Sequence, residues 1–284
     1  MLVIAGYLAV AFSVFGGFML AGGHIAALLQ PIELLMIGGA AIGSFLVGNT
    51  AKAIKATLKA LPNVLKGAKY KKDNYMELMA LLYELLGKVR KEGLMSIEND
   101  VENPDESPIF AKYPTVHDDH HVVEFMTDYL RIMVSGNLNA MEIETLMEVE
   151  IDTHHHEAME PSHVIAKMGD AMPAYGIVAA VMGVVHTMES MGIPPAELGI
   201  LIAHALVGTF LGILMAYGFV GPLAAKLEQK ADESTKMLQT IKVTLLANLN
   251  GYAPAMAVEF GRKALYSTER PGFVELEEHV KQKR

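Results

Sequence analysis

Every cation in this 284-residue chain falls in one of two blocks, and that segregation constrains the fold more than any motif. Residues 51–168 hold 13 Lys and Arg, residues 223–284 hold 10, and residues 1–50 and 169–222 hold none. A water-soluble helical protein places cations on its wet faces along the whole chain. Two long cation-free stretches therefore predict segments that face lipid.

Four uncharged apolar runs occupy those stretches, at roughly 2–20 ("LVIAGYLAVAFSVFGGFML"), 34–50 ("LLMIGGAAIGSFLVGNT"), 173–188 and 198–221 ("LGILIAHALVGTFLGILMAYGFVG"). A spanning helix needs about 20 apolar residues, with a range of about 17–25. The second and third runs are near the short end, which glycine-rich interiors packed on neighbours accommodate. The first run lacks a basic leader and is long for a cleaved signal, so it reads as a retained span. The predicted class is an all-α membrane protein with four spans in two hairpins and a large helical cytoplasmic domain.

The loops at 21–33 and 189–197 contain no Lys or Arg. Cationic loops stay inside, so these two are expected outside, with both termini in the cytoplasm. The expected organisation is 1–50 for helices one and two, 51–168 for a cytoplasmic helical domain, 169–222 for helices three and four, and 223–284 for a cytoplasmic tail.

The cytoplasmic text is helical in pattern. "AKAIKATLKALPNVLKGAKYKK" sets seven lysines beside an apolar stripe, suited to anionic headgroups. "NYMELMALLYELLGKVRKEG" repeats its apolar residues at helical spacing and ends at Gly93, an expected C-cap. "HHVVEFMTDYLRIMVSG" closes at Gly136, "NAMEIETLMEVEIDTHHHEAME" reads as a further helix, acidic on its wet face, and Pro173 suits the first turn of the third span, where its absent N–H costs nothing. Helix four is expected to run on through "PLAAKLEQKADESTKMLQTIKVTLLANLNG", kinked at Pro222 and stopped by "NGYAP".

Little in this chain can carry chemistry by itself. With no Cys, disulfides, thiol nucleophiles and Cys-ligated metals are excluded. A net charge of −9 without a basic-aromatic patch argues against nucleic acid. Ionisable groups inside a membrane are functional candidates by default, yet Glu33 and Asp170 sit only at helix mouths, and His186 and His204 are the titratable groups well inside the runs. His204 reads as a buried histidine bonded to a neighbouring helix, or as a proton relay. No carboxylate lies at mid-depth, so either the chain does not conduct or a partner brings the acid. Glycine and alanine crowd helices two and four, and Gly208-x-x-x-Gly212 has close-approach spacing; such a face packs within one subunit or against a partner. "HDDHH" and "DTHHHE" contain metal-ligand types, but the crowded runs read as solvated surface and no metal site is assigned. Lys88, Arg90 and Lys91 end one helix, and Glu98, Asp100 and Glu102 begin the next, which Ser96 is expected to cap. Those signs suit the helix dipoles and read as solvated faces that can also dock a partner.

Across its whole length the chain resembles the MotA family of flagellar-motor stator subunits. The likeness is carried by "GYLAVAFSVFGGFMLAGG", "ENPDESPIFAKYP", "PAYGIVAAVMGVVH", "GILIAHALVGTFLGILMAYGFVGPL" and "NLNGYAPAMAVEFGRKALYSTERP". The resemblance is to the proton-driven enteric type and implies a bacterial inner-membrane protein, not an enzyme. It also implies a ring of five copies around two MotB helices, with MotB supplying the missing aspartate and a peptidoglycan anchor. Protons would be the coupling ion, with no cofactor, and the rotor protein FliG would receive the torque. On the same basis Arg90 and Glu98 match the rotor-facing charges, Pro173 and Pro222 the residues coupling proton flow to motion, and Thr209 the hydroxyl facing the MotB acid, with Gly176 and Ala180 on the same channel wall. Alternatives are a transport energiser of the ExbB or TolQ kind, a non-conducting scaffold, or an intramembrane metalloenzyme, for which no His-Glu-x-x-His set is present.

Overall fold

The computed structural model describes residues 2–136, 139–189 and 192–283. Among them every regular element is helical. In chain order they are α1 (Leu2–Leu20), α2 (Pro31–Gly48), α3 (Ala51–Val64), α4 (Lys72–Glu92), α5 (Glu98–Glu102), α6 (Pro114–His117), α7 (His120–Ser135), α8 (Ala140–Glu189), α9 (Pro195–Leu249), α10 (Pro254–Ala264) and α11 (Phe273–Lys283). The four expected spans lie within α1, α2, α8 and α9, which are long and apolar enough to cross a bilayer. Part of the second lysine-free loop, at 190–191, lies outside the described residues.

The chain forms two compact units: 1–67 with 158–230, and 68–157 with 231–284. The first contains the apolar runs. It exposes large aliphatic side chains freely, with Leu20 at 92% and Val47 at 90%. A contiguous apolar surface of this kind is stable in lipid and not in water. Its interior is small: Ile37 and Ala41 of α2, Met172 and Ala179 of α8 and Ala216 of α9 form one cluster, and Val64, Ile165, Ala224 and Leu227 another. Thr50 caps α3 by accepting the Ala53 N–H at 3.2 Å.

The second unit has a conventional core. Leu78, Met79, Leu81, Leu82, Leu85 and Leu86 of α4 are fully buried, each worth about 1.5–3 kcal/mol on transfer from water. They pack against α10, α11, α6 and the turn after α4. Gly93 ends α4 at φ +90°, and Gly136 ends α7 at φ +66° in the left-handed region, where a side chain would be strained. Both are expected stops. The "NGYAP" stop also holds: α9 runs to Leu249, and Gly251 has φ +87°.

Three expectations change. The acidic helix and the third span are one helix, α8, so Pro173 does not sit in a first turn and Asp170 does not sit at a helix mouth; both are interior, as is Pro161. An interior proline removes one backbone bond and crowds the carbonyl four residues back. At Pro173, where the third span begins, the helix continues because lipid offers no other partner for a broken backbone. On α9, a widened π-helical stretch, Leu214–Val220, ends two residues before Pro222, a feature that the expected proline kink does not include. A π turn shifts the hydrogen-bond register by one residue and accommodates the missing N–H. Finally, Ser96 does not cap α5: a 3₁₀ turn, Leu94–Ile97, intervenes, and the Ser96 hydroxyl donates to the Gly93 carbonyl at 2.6 Å.

Candidate functional site

Two separate sets of residues stand out, one in each unit. The first is the seam between α8 and α9. Small residues on α8 (Gly176, Ala179, Gly183) face small residues on α9 (Ala205, Gly208, Gly212). A Cβ on Gly176 would lie 2.7 Å from the Gly208 carbonyl oxygen and 3.1 Å from the Gly212 Cα, and one on Gly212 would lie 2.7 Å from the Met172 carbonyl oxygen. The Gly-x-x-x-Gly spacing therefore joins helices within one chain. Lipid supplies no hydrophobic drive between helices, so this close backbone approach is what binds them.

Gly176, read from the resemblance as part of a channel wall, is buried in this seam. Ala180 is half-buried, with its backbone nitrogen 3.1 Å from where a Gly208 Cβ would stand. Thr209 follows Gly208 directly, so its side chain points about 100° away from the seam around the helix and is half-buried. His204 on α9 is half-buried; His186 is exposed and 4.0 Å from Glu189.

The two proline turns meet below that seam. Having no N–H, Pro173 cannot donate to the Gly169 carbonyl four residues back, nor Pro222 to that of Gly218. Gly169 is buried, and a Cβ there would lie 3.1 Å from Val220 Cγ1 and 3.8 Å from the Gly221 nitrogen. The weakened turn of α8 thus lies on the π-helical turn of α9. No periodicity in the sequence signals this pairing, because Gly169 and Val220 are joined only by packing.

The second set surrounds the end of α4. Arg90 in its last turn and Glu98 at the start of α5 are both exposed. Arg90 borders a cleft also lined by Tyr83, Lys88, Lys91, Tyr113 and Pro254. The segment between the two charges is held from beneath. Asp100 is 3% exposed, not a solvated face as its sequence context predicts. It pairs with Lys88 at 2.7 Å and accepts the Ser107 hydroxyl at 2.6 Å. The Ser107 oxygen in turn accepts the amides of Ile109 and Phe110. From α7, Arg131 reaches Glu102 at 3.1 Å and the Val101 carbonyl at 3.0 Å. Sequence reasoning misses Asp100, Ser107 and Arg131 as anchors, since alternation of charges within a short loop looks the same whether buried or wet.

Removing one partner of a buried pair costs about 3–5 kcal/mol. Lys88 keeps some solvent contact, so Asp100→Ala is expected to lower stability by about 3 kcal/mol and to weaken motility, with Asp100→Asn milder. Thermal unfolding of the detergent-purified protein checks this; an unchanged melting temperature would show that the pair holds nothing.

The histidine runs separate in space. His117 pairs with Asp105 at 3.0 Å, His155 Nδ1 lies 3.0 Å from the Thr235 hydroxyl, and the His121 and His154 rings are 6.4 Å apart. Burial, reinforced by His121, holds the His154 pKa below its ordinary value. Among the described residues no three His, Asp or Glu gather in metal-binding geometry.

Four helices long and apolar enough to cross a bilayer and an intrachain glycine seam define a helical membrane protein, and residues 117–240 match the model of the MotA/TolQ/ExbB proton channel family. Residues 4–93 match that of the motility protein A N-terminal region. Motility protein A of Salmonella typhimurium strain LT2 and that of Escherichia coli strain K12 are each 59% identical over 99% of this chain and 95% of theirs. The fold is similar to that of a C. jejuni MotAB structure, with a TM-score of 0.77 and 21% identity over 93% of this chain and 95% of that one. The chain belongs to the motility protein A family. Its function is that of a flagellar-motor stator subunit that takes part in proton conduction, in an ion-channel family and not a family of enzymes.

Proposed function

We propose that five copies of this chain form a ring around two MotB helices in the bacterial inner membrane, with both termini cytoplasmic and the spans paired as two hairpins. MotB supplies the titrating aspartate and the peptidoglycan anchor. Proton passage turns the ring against FliG, which Arg90 and Glu98 engage. Protons, not sodium, are the coupling ion, and no cofactor takes part. The observation that carries this reading is the wall itself. Its seam is glycine and alanine, the nearest α9 hydroxyl outside it belongs to Thr209, and neither helix carries an acid between Asp170 and Glu189 or between Glu197 and Glu228. A proton path through such a wall requires an acid from outside the chain. Thr209, turned away from the seam, and half-buried Ala180 are its channel-facing candidates, whereas Gly176 contributes by holding α8 on α9.

The test is proton influx in cells making this chain alone, MotB alone, or both. Influx is expected only with both; robust influx from the chain alone would sink the reading and turn attention to His204.

The rotor face gives its own expectation. Arg90 and Glu98 are exposed, and single exposed ion pairs are worth about 0–1 kcal/mol. Reversing one charge should slow swimming modestly, and reversing both should slow it severely, with membrane level and MotB binding intact. Compensating reversals on FliG should restore part of the speed. Normal swimming of the double reversal would place the docking face elsewhere.

A further inference from the structure

The α9 backbone is fastened on both sides of Pro222 by hydroxyls. Tyr7 on α1 donates its hydroxyl hydrogen to the Phe219 carbonyl at 2.9 Å, and its ring lies 5.3 Å from the Phe219 ring. Ser162 on α8, fully buried, donates to the Ala224 carbonyl at 2.8 Å. The acceptors flank Pro222 in the chain, three residues before and two after. Between the two bonds, α1 also lies on Gly218, whose Cβ position is 3.1 Å from Val10 Cγ1. Gly218 is the residue to whose carbonyl Pro222, lacking an N–H, cannot donate.

The chemistry of the turn explains why such bonds belong there. In Leu214–Val220 the register passes from one ring size to another; the Gly221 N–H, for example, bonds the Ala216 carbonyl five residues back. At such a point two registers lie close in energy, and a side-chain donor from another helix selects one. Tyr7 meets the widened stretch itself, at Phe219, and Ser162 meets the helix just past it, at Ala224.

We propose that Tyr7 and Ser162 are positioning residues for torque generation: together they hold the Pro222 turn in its observed register, so that the stroke begins from one defined state. The assignment rests on the coupling role that the family resemblance implies for Pro222.

The test uses the full chain with MotB. Tyr7→Phe keeps the ring and removes the bond; Ser162→Ala removes the other; Ser162→Thr keeps the hydroxyl. Amide hydrogen exchange over residues 214–226 is measured on the purified complex, alongside proton influx and the rotation of single motors. Loss of one ordinary hydrogen bond should speed exchange there by about two- to tenfold. The Tyr7→Phe/Ser162→Ala pair should lose most rotation while keeping MotB and proton influx, and Ser162→Thr should behave as wild type in both readouts. Unchanged exchange in the double variant overturns the proposal, as does faster exchange with wild-type rotation. Pro222→Ala is the control. If it stalls while the double variant rotates normally, only the clamp fails. If Pro222→Ala itself rotates normally, the coupling role fails and the clamp's purpose with it.

Discussion

A single methyl group at Gly176 is expected to abolish motility. The obstacle is backbone: the Gly208 carbonyl oxygen would sit 2.7 Å from the new Cβ and the Gly212 Cα 3.1 Å away. A flexible side chain could swing aside, but a helix backbone moves only as a unit. Overfilling a packed core usually costs about 1–3 kcal/mol per inserted group. Here α8 and α9 must part along the whole seam, losing the contacts at Gly183–Ala205 and Gly212–Met172 as well. In lipid no hydrophobic drive re-forms the pair, so the loss should exceed that range, and Gly176→Val should be worse than Gly176→Ala. Gly199→Ala, with open space around its Cβ position, should be near neutral. The measurements are membrane level, melting temperature in detergent and swimming. Wild-type swimming by Gly176→Ala would mean that the helices do not meet as described.

Pro222→Ala should separate the two halves of the motor's work, leaving proton influx with MotB while rotation all but disappears. Neither proline titrates, so the proton's chemistry does not depend on them. What they change is the helix. Alanine restores an N–H that can bond the Gly218 carbonyl and removes the ring that crowds it, and the reason for the π turn at Leu214–Val220 goes with the ring. A regular, stiffer α9 has lost the place where it can give. Pro173→Ala should act in the same direction, because its turn and the Pro222 turn meet at Gly169 and Val220. Stiffening either side should blunt the same movement, and the two substitutions together should do little more than one, as coupled neighbours do. Paired measurements of influx and single-motor rotation decide it. Equal loss of both would mean that the prolines shape the channel and not the stroke.

Such effects are readable in structure more than in text, and particular residues show why. Helical spacing of the apolar residues in α4, the stops at Gly93, Gly136 and Gly251, and the run of α9 past Pro222 to Leu249 all follow from local pattern. Pro173 and Asp100 do not. A proline that opens an uncharged apolar run has the signature of a helix start, and only the absence of water as an alternative backbone partner carries α8 through it. Asp100 sits among acids that look wet, and only the fold brings Lys88 and Ser107 over it.

By itself, then, the sequence determined that the chain is helical, that four segments are apolar enough to cross a bilayer, and that the spans contain no acid at mid-depth. These are sums over neighbouring residues, and hydropathy and charge are additive along a chain. Tertiary structure alone decided that the glycines of α9 meet those of α8, that the two proline turns lie on each other, and that Asp100 anchors the segment carrying Glu98. Those outcomes depend on which backbone lies within about 3 Å of another, a pairing between residues far apart in the chain that packing selects.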